Sequence, residues 1–248
     1  MSILLFLVFS FINVQGVSAV LKLKLESGTT TIEIEDNMAG DADLTTGVVV
    51  FNGSIETFNT AVVTGISKPI VGSETLARLN LNAVTTASDS GTLIISLTDT
   101  DYGSGSGDTT ISSAIGGTAN GTTTFQSYID QVNAEFGMAC TSGLQGPFSE
   151  AFDDTTSGAC SLSGLFSLTA VAEVMLGAGQ VQSFGSVTQA SFPVIEEIGC
   201  RFTGGGVDTD LNWNHELEDG EMIRNGAGNL PEGIDRYQFG GQVGARTA

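Results

Sequence analysis

Positive charge is what this sequence has least of. Eight Lys and Arg stand against 28 Asp and Glu, a formal charge of −20, and the isoelectric point is near 4.1. So acidic a chain repels polyanions, which argues against a nucleic-acid binder that must neutralise phosphates with clustered Lys and Arg. An anionic membrane surface is disfavoured for the same reason. There is one His, so no two-histidine zinc site can be built. Neither a CxxC pair nor an HExxH motif offers another route, and a zinc enzyme is excluded. Charged residues make up only 15% of the chain and hydrophobic ones 41%. That is too apolar for a disordered acidic segment, and it supplies a real core. One globular domain with a smaller module is the expectation.

Long hydrophobic runs are also scarce. Residues 3–14, ILLFLVFSFINV, form the one conspicuous run, the length of a signal-peptide core and short for a bilayer span. Val17, Ser18 and Ala19 follow as a small-residue cleavage pattern, so residues 1–19 read as a signal peptide cut after Ala19. No Lys or Arg precedes the run, and a buried first strand or helix is the alternative. No later segment reaches membrane-spanning length, so the mature chain is expected to lack a transmembrane segment.

Cysteine usage agrees with export. Cys140 and Cys160 bracket a Gly/Ser/Thr-rich stretch, and a disulfide closing such a loop stabilises a fold by about 3 kcal/mol. Cys200 is left over, which suggests a partner in another chain or segment. Three reduced, buried thiols are the alternative.

Strand patterns fill most of the chain. Val20 to Leu25 (VLKLKL) alternates strictly, Gly28 marks a turn, and Thr29 to Glu35 (TTTIEIE) alternates again with Ile32 and Ile34 inward: an opening hairpin. Gly47 to Phe51, Phe58 to Val63, Leu76 to Val84 and Gly91 to Leu97 continue the series. A Gly/Ser/Thr-rich loop is expected around Tyr102 to Gly121. Strand pattern resumes over Thr123 to Val132, with a short helix over Tyr128 to Phe136 as the competing reading. Phe166, Leu168, Ala170 and Ala172 alternate, and Val181 to Phe192 reads as the closing strand. Phe51, Phe58, Phe125, Phe166, Phe184 and Phe192 fall in these segments as core. Eight to ten short strands with polar turns give an all-β fold, an antiparallel β-sandwich of jelly-roll or Ig-like type over residues 20–198, with a small Gly-rich C-terminal extension over 199–248.

Between Arg78 and Arg201 there is no Lys or Arg, whereas Asp99, Asp101, Asp108, Asp153 and Asp154 are among the carboxylates there. The surface of that stretch is expected to be uniformly acidic, for solubility or for attracting cations.

Several short motifs follow one another in order: Gly47-Val-Val-Val-Phe-Asn-Gly53, Ser67-Lys68-Pro69 with Gly72-Ser73, Leu79-Asn80-Leu81-Asn82, and Gly91-Thr-Leu-Ile-Ile with Thr98-Asp99-Thr100. Together they resemble the β-sandwich of bacterial surface proteins sorted by exosortase (PEP-CTERM type) and of related proteins with alternative cell-surface anchors, over roughly Leu21 to Phe192. The second position of the Leu-Asn-Leu-Asn element is more often Asp in such proteins. Cys200-Arg-Phe-Thr-Gly-Gly-Gly206, Asp208, Trp213 and Asp235-Arg-Tyr-Gln-Phe-Gly-Gly-Gln242 resemble the opening of a Gly-rich module that often follows these sandwiches and runs on further, so a fragment of a longer protein is the expectation. The resemblance attaches no enzymatic activity.

The tail holds a ligand-like pattern. Asp208, Asp210, Asn212, Asn214, Glu216 and Asp219 fall at the oxygen positions of an EF-hand-like register, as hard Ca²⁺ requires. Asp208, Asp210, Asn212 and Asp219 would be side-chain ligands and Asn214 would offer its carbonyl. Trp213 stands where an EF-hand needs Gly, Asp219 replaces the usual bidentate Glu, and no flanking helices are evident. An ordinary polar loop is the other reading, and calcium is the only cofactor considered.

Catalytic patterns are wanting. A Ser/His/Asp or Cys/His arrangement would have to use His215, with no GxSxG elbow in the chain. Two carboxylates suit glycoside hydrolysis, but a single Trp leaves little surface for stacking on sugar. The Gly204 to Gly206 triplet lacks the Lys of a phosphate loop. The expectation is a secreted or cell-surface structural or adhesive protein without catalytic activity. Its partners would be cell-surface or extracellular-matrix components, glycans among them. The alternative is a carbohydrate- or calcium-binding module accessory to a domain outside this chain.

Overall fold

The computed structural model describes residues 19–73, 75–103 and 106–192, and in the tail the backbone of two short strands. The chain divides into two compact units, Met1–Pro193 and Val194–Ala248. In the first, eleven strands run in order: β1 (Leu21–Ser27), β2 (Thr30–Glu35), β3 (Val48–Ile55), β4 (Phe58–Ile66), β5 (Arg78–Ala87), β6 (Gly91–Tyr102), β7 (Ser106–Asp130), β8 (Cys140–Thr141), β9 (Gln145–Ser163), β10 (Phe166–Leu176) and β11 (Val181–Ser191). In the second, β12 (Gly199–Cys200) pairs antiparallel with β13 (Val243–Gly244). No helix is present among the described residues.

One continuous sheet runs β2-β1-β6-β10-β7-β11-β5-β4-β3, with β8 and β9 on β7, and its neighbours pair antiparallel throughout. The sheet folds over to make two layers, and β7 is the corner. Its first half pairs with β11 through Thr110 to Ala119, and its second half pairs with β10 through Thr122 to Asp130. A strand that crosses from one layer to the other is the usual way a sandwich turns a corner. At the far ends β1 packs against β3. The layers meet on Leu23, Leu25, Phe58, Leu79, Leu81, Leu93, Ile95, Leu97, Phe125 and Phe166, all at most 1% exposed. They come close enough at β4 that a Cβ on Gly65 would sit 2.2 Å from Leu97 Cδ1 of β6.

The opening hairpin forms as its alternation requires: Leu21, Leu23 and Leu25 are buried, Lys22 and Lys24 lie on the other face, and Gly28 takes φ 56° in the turn. Phe58, Phe125, Phe166 and Phe184 are buried, with Phe51 and Phe192 packed against them.

The expected loop is corrected, and the competing helix drops out. The stretch expected as a loop is the first half of β7, since Thr109, Ile111, Ser113 and Ile115 alternate inward. At Gly117 the small residue reflects crowding: a Cβ there would lie 2.2 Å from Ser183 O of β11, so only glycine fits. Likewise the stretch between Cys140 and Cys160 is mostly β9, where a Cβ on Gly158 would stand 1.9 Å from Thr141 O. There is no helix over 128–136. β7 runs to Asp130, whose Oδ1 then accepts Val132 N (2.9 Å) and Ala134 N (3.2 Å) and turns the chain.

The acidic stretch is not all surface either. Asp99 is 1% and Asp130 8% exposed.

Candidate functional site

A buried grouping of chemically capable side chains lies at the Tyr102 end of β6. Leu93, Ile95 and Leu97 point inward along this strand, and the same period of two carries Asp99 inward as well. At Asp101 the backbone takes φ 58°, and the β6–β10 register shifts there. The break in alternation brings Tyr102 into the interior behind Asp99. On the facing layer β4 ends at Ile66, and Ser67 and Lys68 follow.

These residues converge. Lys68 Nζ lies 2.9 Å from Asp99 Oδ2, donates to Thr100 O at 2.5 Å and sits 3.8 Å from the centre of the Tyr102 ring. Ser67 Oγ donates to Asp99 Oδ2 and is 2.6 Å from Tyr102 Oη, which donates to Arg78 O at 2.9 Å. Ser67 and Tyr102 are fully buried. Burial first, then the negative charge of Asp99, pushes the Tyr102 phenol well above its ordinary range, so it stays a neutral donor. Over the other face of β6 the 131–137 turn closes the site: Phe136 N donates to Thr98 Oγ1 at 3.2 Å, and Thr98 Oγ1 donates to Leu168 O at 3.0 Å.

A second polar cluster lies under the bend of β7 and carries no charge. Ser113 Oγ donates to Gln145 Oε1 (2.6 Å), Ser127 Oγ donates to Ser113 Oγ (3.0 Å) and is 2.6 Å from Thr188 Oγ1, and Ser127 N donates to Ser142 Oγ (3.2 Å). Here pairing is incomplete: Gln145 Nε2 is buried without a partner.

Cys140 and Cys160 are bonded as expected, with Cα atoms 5.8 Å apart, and join β8 to β9. Asp208, Asp210, Asn212, Asn214 and Asp219, like His215 and Trp213, lie outside the described residues. Among the described residues no group of three or more His, Cys, Asp or Glu could hold a metal ion, and no helix is long and apolar enough to cross a membrane. Carboxylates do gather in the loop after β2, but they serve its backbone: Asp36 Oδ2 accepts Gly47 N (2.7 Å), Asp41 Oδ1 accepts Val50 N (2.9 Å) and Asp43 Oδ1 accepts Thr45 N (2.8 Å). Burial, with Asp41, Asp99 and Asp43 adding repulsion, raises the Asp36 carboxyl. An open groove of about 550 Å³ at the other end of β6 is lined by Ser90, Gly91, Thr92, Gly121, Thr122 and Met175, among other small or apolar residues.

Reasoning from the residues missed the Lys68–Asp99–Tyr102 cluster as a site, although two of the motifs that carried the family resemblance, Ser67-Lys68-Pro69 and Thr98-Asp99-Thr100, meet in it. The usable signal was register: an acid occupying the next inward slot after Leu93, Ile95 and Leu97 must find a cation.

No protein-family model matches this chain, and no curated protein matches it.

Proposed function

We propose that this is a secreted or cell-surface structural protein of adhesive type that works by display and contact, without catalysis. The observation that carries the reading is where its reactive groups go. The lysine, carboxylate, phenol and serine of the buried cluster lie between the two layers, with Ser67 and Tyr102 0% and Asp99 1% exposed, where they fasten strands together.

Two further features support it. The Cys140–Cys160 disulfide suits an oxidising compartment. One face of the β7–β9 pair presents short side chains, Ser112 opposite Ser157, with Thr110, Thr118, Asp153 and Thr155 opposite Ala or Gly, a small-residue face suited to contact.

The test is fractionation of the host with thiol trapping, followed by assay of the purified product on a polysaccharide panel. The expected result is a product outside the cytosol with Cys140 and Cys160 oxidised and no turnover. A cytosolic product with reduced cysteines, or turnover of any polysaccharide, overturns the reading. Calcium on the tail acids, from the register of Asp208 to Asp219, is the second reading. A melting temperature equal in millimolar Ca²⁺ and in excess chelator removes it.

A further inference from the structure

We propose that Lys68 and Asp99 are joined in the folded protein by an amide between Lys68 Nζ and Asp99 Cγ. The observation behind it is a reactive pair held together away from water: Nζ is 2.9 Å from Asp99 Oδ2, and the side chains are 9% and 2% exposed. Condensing an amine with a carboxyl group in water is slow because the partners must meet, and unfavourable because solvent reverses it. Here the partners are fixed in contact and solvent is excluded. The ion pair is also an expensive way to fill this space, because a buried pair offsets its desolvation only with good geometry and further hydrogen bonds. An amide removes both charges and keeps an N–H for Thr100 O, which Nζ already meets.

The step balances without an outside reagent. The Lys68 ammonium passes one proton to the Asp99 carboxylate, leaving an amine and an acid. Nζ adds to Cγ, and the Ser67 hydroxyl, bonded to Oδ2 with the Tyr102 hydroxyl behind it, relays protons to the departing oxygen. The Nζ–Cγ bond forms, the Cγ–Oδ2 bond breaks, and Oδ2 leaves as water with two protons that began on the lysine nitrogen. Nothing is oxidised or reduced. The product ties the end of β4 to β6, one from each layer, and closes the chain over residues 68–99.

The test is peptide mass on the purified, folded full chain after reduction, alkylation and digestion at glutamates. Cleavage at Glu56, Glu74 and Glu135 separates 57–74 from 75–135, so each half of the pair lies on its own peptide. The expected result is one branched species lighter than the two peptides together by one water, with fragmentation placing the branch at Lys68 and Asp99. The Lys68→Arg variant, which keeps the charge and cannot make this amide, yields the two linear peptides at full mass. Linear peptides from the native chain overturn the proposal. So does a water lost within 75–135 alone, which is a succinimide, and so does a branch that persists in Lys68→Arg. The readout is independent of where the protein resides, so it can fail while the surface reading stands, and the reverse.

Discussion

At the Tyr102 end of β6 the interior holds a lysine, a carboxylate and a phenol, whereas under the bend of β7 it holds only hydroxyls and amides. In the first cluster Asp99 Oδ2 meets Lys68 and Ser67, and Lys68 also meets Thr100 O and the Tyr102 ring, while the neighbouring Asp101 is held through Oδ1 by Asn133 with its Oδ2 buried and unpaired. The second leaves Gln145 Nε2 without a partner. Desolvation explains the difference. An unpaired buried charge costs several kcal/mol, so it is found with its partners or not at all. A neutral hydroxyl or amide left short costs about 1–3 kcal/mol, which a fold of this size can carry. The cluster around Lys68 and Asp99 therefore needs specific partners and joins two layers, while the neutral one lies under the bend of β7.

The contrast can be broken most severely at Asp99. Asp99→Leu strands the Lys68 cation in the interior, and denaturant unfolding is expected to show a loss of about 3–5 kcal/mol. Replacing Cys140 and Cys160 together by Ser releases the β8 segment that carries Ser142 over the neutral cluster. The expected loss is about 3 kcal/mol in equilibrium unfolding, with amide exchange accelerating at Ser127 more than at Asp99. Tyr102→Phe removes the hydroxyl shared by Ser67 and Arg78 O, at a cost of about 1–2 kcal/mol.

Tyr102 also gives a pH signature. Its folded value is raised above the ordinary 10.0, so the native state holds a proton that the unfolded chain loses. The associated stability is intact below the ordinary 10.0 and is lost as the pH climbs from there through the raised folded value. Wild-type protein is expected to lose stability above pH 10 more steeply than Tyr102→Phe, measured by chemical unfolding across an alkaline series.

Ser127→Ala, in the neutral cluster, is expected to cost only about 1 kcal/mol. A loss equal to that of Asp99→Leu would erase the distinction between the two clusters. Smallest of all is Asp36→Asn. The Asp36 carboxyl is raised from 3.8 by burial, so its contribution is present below that value and lost as the pH rises through the folded one. Relative to Asp36→Asn, the wild type is expected to gain melting temperature on acidification, and identical acid profiles would contradict this.

The two clusters also differ in how far they could be read from the sequence. Alternation in VLKLKL and GTLIISL, with Gly28 at the turn, located β1, β2 and β6, because one buried face imposes a period of two. The Cys140–Cys160 pair was legible from its spacing around a Gly/Ser/Thr-rich stretch. What escaped was the first half of β7, and β9. Their Gly, Ser and Thr content has the composition of a loop, yet Gly117 and Gly158 are there because the backbone of a neighbour passes within reach of a Cβ, a tertiary fact with no local signal. Asp99 was taken for surface charge because it sits among other acids. Its partner is 31 positions earlier, following a different strand, and only the layer-on-layer packing brings them together. The neutral cluster was still less visible, since Ser113, Ser127, Ser142 and Thr188 are common residues and nothing in their spacing marks a shared bond.

The account rests on Lys68 and Asp99 acting as one unit between the layers, and a double-mutant cycle tests that most directly. Asp99→Leu and Lys68→Met are each expected to be strongly destabilising in denaturant unfolding, while the double variant, with two apolar side chains in place of the pair, regains most of the loss, a coupling of about 3 kcal/mol. Single losses that simply add, within about 0.5 kcal/mol, would contradict it and return the two residues to the role of independent side chains.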